Sequence, residues 1–113
     1  MATPIIDPTT FGELQASAGA DFVDELIDTF LEEAPAMLDE LRDALARERA
    51  EAFGRAAHSL KSNANTFGAL TLGAMARDLE LGGLAAGRQA HALDELAEEY
   101  ARASTALRSL RRA

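Results

Sequence analysis

In the segment Asp21-Phe22-Val23-Asp24-Glu25-Leu26-Ile27-Asp28-Thr29-Phe30-Leu31-Glu32-Glu33-Ala34-Pro35-Ala36-Met37-Leu38-Asp39-Glu40-Leu41-Arg42-Asp43-Ala44-Leu45, apolar side chains recur at Val23, Leu26, Ile27, Phe30, Leu31, Ala34, Leu38, Leu41 and Leu45. Steps of three and four put them on one stripe of an α-helix, whereas a strand would alternate every second residue. Asp21 stands where a helix N-cap is wanted. Pro35 lacks an N–H and crowds the carbonyl of Leu31, which predicts a bend or one lost hydrogen bond. The periodicity resumes in phase after it, so the helix is expected to continue.

Working outward, Ser17-Ala18-Gly19-Ala20 separates this long helix from a short one before it. That first helix has two possible starts: Asp7 as N-cap with Pro8 at the first helical position, or Thr10 as N-cap with Glu13 closing a capping box. Downstream, further helices are expected over about 49–67, 70–84 and 90–111, with Gly68 and the Gly82, Gly83, Gly87 cluster as punctuation and helix exit. Ala, Leu, Glu and Arg, the strongest helix formers, outnumber β-branched residues. The fold class is therefore all-α: an antiparallel up-down four-helix bundle with a short additional N-terminal helix across one end, because each long helix has one stripe to bury. Phe11, Leu14 and Phe22 either seal that end or form an apolar patch open to a partner. Met37 and Met75 read as gap-fillers in the core, and Tyr100 as a packed residue with its hydroxyl at the surface. The Arg108, Arg111, Arg112 cluster reads as cations complementing a helix C-terminus.

The chain has 113 residues and a mass of 12.0 kDa, 48% of it hydrophobic, which suits one domain, 1–113, structured over about 7–110. Eleven basic against 19 acidic residues leave a net charge of −8, so neither nucleic acid nor an anionic membrane is the expected partner. A protein is. Cysteine is absent, which excludes disulfides, thiol chemistry and Cys-ligated zinc. No basic leader or long apolar run occurs near Met1, so the expectation is a soluble, cytoplasmic, monomeric protein, and Met1 without a linker favours a free-standing one.

One residue stands apart from this pattern of buried stripes. On the helix expected over 49–67, Phe53, Ala57, Leu60, Ala64 and Phe67 form the apolar face, and at 100° per residue His58 lies about 160° around from Leu60. His58 therefore faces solvent among Gly54, Lys61, Ser62 and Asn65, small or polar neighbours that let a partner approach closely. Gly54 costs a helix interior about 1 kcal/mol relative to Ala. Weak helix formers gathered beside a nucleophile fit a site, and an ordinary solvated surface fits the same periodicity equally well. A neutral imidazole nitrogen is a good nucleophile and needs no dedicated base.

The stretch Ala56-Ala57-His58-Ser59-Leu60-Lys61-Ser62-Asn63-Ala64-Asn65-Thr66-Phe67-Gly68-Ala69 resembles the motif of histidine-containing phosphotransfer (HPt) domains, in which His is followed by Lys at i+3, a small residue at i+4 and Gly at i+10. The resemblance extends over roughly residues 7–110: Phe30-Leu31-Glu32-Glu33-Ala34-Pro35 is similar to the family's second helix and Ala76-Arg77-Asp78-Leu79-Glu80 to its fourth. It implies that His58 is phosphorylated, that Lys61 is the cation beside the phosphoryl group, that Ser62 is the small residue next to the imidazole, and that Gly68 leaves room for the partner. Gly is commoner than Ser at position 62. The serine adds a Cβ, which restricts approach, and a hydroxyl able to donate to phosphate.

The resemblance further implies a receiver domain carrying an aspartyl phosphate as partner, a hybrid histidine kinase upstream, and a phosphorelay intermediate rather than an enzyme. Phosphoryl transfer has a loose transition state with charge spread over the equatorial oxygens, so positioning and a nearby cation are what a protein must add. The chain carries no Walker A sequence, kinase Gly-rich loop or DFG motif, which excludes ATP as direct donor on motif grounds. His58 and His91 fall on different helices without metal-ligand spacing, so no metal or other cofactor is expected here and Mg²⁺ is expected on the receiver. His91 itself is expected to be exposed. Two rival readings remain: a helical scaffold module that binds a regulator through the His58 face, and a metal-binding bundle, for which inward Glu-x-x-His pairs are missing.

Overall fold

The computed structural model describes residues 4–111. Five helices follow one another: α1 (Pro8–Ala18), α2 (Ala20–Ala46), α3 (Ala50–Phe67), α4 (Leu70–Gly87) and α5 (Ala92–Leu110). No strand occurs among the described residues.

Of the two possible starts of α1, the chain uses Asp7, with Pro8 in the first turn. The Asp7 carboxylate accepts the Thr10 backbone N–H at 2.9 Å and the Thr10 hydroxyl at 2.6 Å, so Thr10 lies inside the helix. These two bonds hold the Asp7 carboxyl below its ordinary value. The break before α2 is a single residue, Gly19, at φ 90°. It takes the cap position expected of Asp21 because only glycine turns there without strain, and Asp21 instead places its charge in the first turn.

Pro35 sits within α2, which runs unbroken through it. The carbonyl it deprives of a helix partner is that of Leu31, four residues earlier. Tyr100 of α5 donates its hydroxyl to this oxygen at 3.5 Å. The hydroxyl thus reaches across to α2 from a half-buried residue, and burial pushes its ionisation up, with a hydrogen bond from Ser104 acting the other way.

The helix expected to end near residue 84 runs on to Gly87 across a kink at Gly83, where φ 65° and ψ −152° lie in a region essentially reserved for glycine. The redirected last turn brings Gly87 against Phe53 of α3, so closely that a Cβ there would stand 2.7 Å from Phe53 Cζ. His91, expected at the helix start, is the N-cap residue in a left-handed conformation at φ 65°, and α5 begins at Ala92.

Phe30, Phe53, Ile27, Leu41, Leu60, Leu72, Leu96, Leu107 and Val23 fill the core, with Phe30 stacked at a tilt on Phe67 and edge-on to Tyr100. Met37 and Met75 pack partly buried against it, as expected. α3 packs on α2 and α4, α5 packs on α4 and α2, and α1 contacts α2 and α3. Phe11 is buried, Leu14 is half-buried, and Phe22 is exposed. Phe11 therefore seals the core and offers no docking surface. Arg111 is likewise not merely a helix-end cation: its Nε and Nη2 both donate to the Asp28 carboxylate of α2 at 2.7 Å, tying the chain end to the long helix. Arg108 does lie in the last turn of α5, and Arg112 lies outside the described residues.

Candidate functional site

The pairing of α3 with α4 builds the site. Gly73 of α4 leaves space that Asn65 of α3 fills: a Cβ on Gly73 would fall within 2.0 Å of Asn65 Oδ1. Asn65 meets Gly73, His58 and Lys61 meet Glu80, and Phe53 meets Gly87, so position falls along one helix as it rises along the other and the two run antiparallel. This register delivers Glu80 to the imidazole.

His58 is solvent-facing, with 58% of its side chain exposed, as the helical phase predicted. It is not alone there. Its Nδ1 lies 2.8 Å from Glu80 Oε2, and Lys61 Nζ lies 2.7 Å from Glu80 Oε1. One carboxylate thus bridges imidazole and ammonium. Lys61 is consequently drawn in, its side chain only 24% exposed. The hydrogen bond from Lys61, then that from His58, hold the Glu80 carboxyl below its ordinary value, so it is a carboxylate at neutral pH and an acceptor only. An acceptor-only carboxylate requires Nδ1 to carry a proton, and in the neutral imidazole the lone pair then belongs to Nε2.

Sequence reasoning missed Glu80. Its stretch Ala76-Arg77-Asp78-Leu79-Glu80 is similar to the family's fourth helix, but no single-helix pattern reveals which carboxylate a neighbouring helix will reach. The signal was the pair of α4 glycines, Gly73 and Gly87, that admit Asn65 and Phe53 of α3 and so set the register.

Beside His58 opens a shallow cleft of about 700 Å³, lined by Glu51, Gly54, Arg55, His58, Ser59 and Glu80. Gly54 contributes open space, with nothing within 4 Å of where its Cβ would stand. Ser62 is exposed on the same helix, and Asn65 is occupied over Gly73. Gly68 does not belong to this surface. It is the buried, left-handed C-cap of α3 at φ 87°, its carbonyl accepts the Asp7 N–H at 2.8 Å, and a Cβ would stand 2.9 Å from the Asp7 carbonyl oxygen. The room that Gly68 leaves is filled by the start of α1 and not kept for a partner. His91 is exposed, 3.8 Å from Asp94, far along the chain from this cluster.

Among the described residues no group of three or more His, Asp or Glu is arranged to hold a metal ion, and no helix is long and apolar enough to cross a membrane. Comparison with curated protein sequences gives no match. Among solved structures the chain is similar to the crystal structure of histidine-containing phosphotransfer protein B (HptB) from Pseudomonas aeruginosa PAO1, at 26% identity and a TM-score of 0.84, covering 97% of this chain and 96% of that one. The family model described as "Hpt domain" matches residues 25–109, a span that contains His58, Lys61 and Glu80, and the chain belongs to the Hpt domain family.

Proposed function

We propose that His58 is the residue through which this Hpt protein carries out histidine phosphotransfer in a phosphorelay. The observation that carries the assignment is the bridge from His58 Nδ1 through Glu80 to Lys61, which leaves Nε2 as the free nucleophile on an exposed face. In transfer from a receiver, the Nε2 lone pair forms the N–P bond as the aspartyl O–P bond breaks, and the aspartate departs as carboxylate. No proton needs to move: Nδ1–H stays directed at Glu80, whose negative charge balances the imidazolium that forms. Lys61 offsets that carboxylate and keeps it from repelling the incoming phosphoryl group.

The helices are read as an antiparallel up-down four-helix bundle, α2 to α5, with α1 across one end. The chain is read as a monomeric, cytoplasmic relay intermediate that takes its phosphoryl group from, or gives it to, receiver domains fed by a hybrid histidine kinase. Mg²⁺ acts from the receiver, and ATP is not bound here. The direct test is single-turnover transfer from a phosphorylated receiver to the wild type and to His58→Gln. Loss of label with unchanged receiver binding supports the reading. Undiminished labelling of His58→Gln overturns it, and binding without any transfer to the wild type makes the protein a scaffold.

A further inference from the structure

The contacts of the resting site gather on one side of the imidazole: Glu80 takes Nδ1, and Lys61 is bound to Glu80. The phosphoryl group forms on Nε2, across the ring from that contact. Lys61 is thus a cation already engaged, and the phosphoryl oxygens need another.

Arg55 stands three residues before His58, as Lys61 stands three after it, so the two bracket the histidine along the helix with Cβ atoms about 5–6 Å away. Arg55 shares the cleft with His58. Its ion pair among the described residues, to Glu51 one turn back, is 4.0 Å long, with the two side chains 75% and 95% exposed. Such a pair holds its partners weakly. The guanidinium is therefore free to swing at little cost, and its planar fork of donors matches phosphoryl oxygens better than a lysine does. Two carboxylates face the same cleft: Glu80, already offset by Lys61, and Glu51, which a swing of Arg55 leaves at the solvent edge.

We propose that Arg55 and the cleft beside it form the phosphoryl-binding subsite of this protein, the guanidinium gripping the oxygens of the group on His58 Nε2. The inference rests on His58 as the phosphorylated residue. Arg55 takes no part in bond exchange, which remains between the aspartyl oxygen, phosphorus and Nε2.

The test compares Arg55→Gln and Arg55→Lys with the wild type in labelling by phosphoramidate, in transfer from a phosphorylated receiver, and in the pH titration of the phosphohistidine ³¹P resonance. Arg55→Gln is expected to lose about 10-fold in rate with both donors and to raise the pH at which the phosphoryl group takes up its proton, with Arg55→Lys intermediate. Unchanged phosphoramidate labelling and an unchanged ³¹P titration overturn the proposal, whether or not receiver transfer falls; a fall with the receiver alone makes Arg55 a docking contact. His58→Gln runs alongside. If it still labels, the assignment of His58 fails; if it does not while Arg55→Gln behaves as wild type, only the subsite fails.

Discussion

Replacing Gly68 by Ala separates a structural glycine from a docking glycine. Its φ of 87° costs an L-residue about 1 kcal/mol, and the added Cβ would stand 2.9 Å from the Asp7 carbonyl oxygen and 3.0 Å from Thr10 Cβ. Backbone cannot yield as a flexible side chain would, so the start of α1 must lift, straining the 2.8 Å bond from Asp7 N–H to the Gly68 carbonyl, a contact of about 1 kcal/mol. Together these give a loss of about 2 kcal/mol, or about 8 °C in melting temperature for a domain of this size. His58 lies ten residues away, about 15 Å along the helix axis, and should label normally with phosphoramidate in the folded variant. Gly54→Ala is the control, since open space surrounds that position and Ala should leave stability unchanged or higher. Circular dichroism melts and single-turnover labelling read both effects. A Gly68→Ala protein as stable as the wild type but unable to accept a phosphoryl group from a receiver would refute the reasoning and restore Gly68 to the docking surface.

Tyr100→Phe should cost about 0.5 kcal/mol in urea unfolding, the low end for a hydrogen bond because the 3.5 Å contact to Leu31 is long. In a Pro35→Ala background the helix supplies its own N–H to Leu31 and that cost should vanish; an equal cost in both backgrounds would show that the Leu31 carbonyl is not the hydroxyl's partner. Asp28 is held below its ordinary carboxyl value of 3.8, chiefly by its hydrogen bond to Arg111, so the folded state binds fewer protons than the unfolded chain. Its contribution to stability is present above that ordinary value and is lost as pH falls through the depressed one. Melting temperature should therefore drop on acidification, and Asp28→Asn should start lower at neutral pH and show a shallower acid slope; an unchanged slope would mean that the pair does not persist in solution.

Helix positions were legible in the sequence wherever a continuous apolar stripe met a glycine. Gly19, Gly68 and the register across Pro35 show it. Within the Gly82, Gly83, Gly87 cluster the sequence marks a change of direction but not which glycine takes it, because that depends on Gly87 having to reach Phe53 on another helix. The exposure of His58 was legible from its phase, about 160° around the helix from Leu60, whereas its role came from the resemblance of the motif around it. Glu80 was not, since α4 presents several charges and only the close approach of Gly73 to Asn65 selects the one that meets the imidazole. For the same reason the sequence does not show that Lys61, which the resemblance implies to be the cation beside the phosphoryl group, pairs with Glu80, or that Arg111, read as a helix-end charge, bridges two helices.

The central claim is that a single nitrogen, His58 Nε2, carries the phosphoryl group because Glu80 occupies the other. Two-dimensional ¹H–¹⁵N NMR of the imidazoles in the phosphoramidate-labelled protein, with ³¹P coupling to identify the bonded nitrogen, reads this directly. The account predicts an N–P bond at Nε2 of His58, Nδ1 still protonated, and an unmodified His91. Phosphorus on Nδ1 of His58, or on His91, would contradict it.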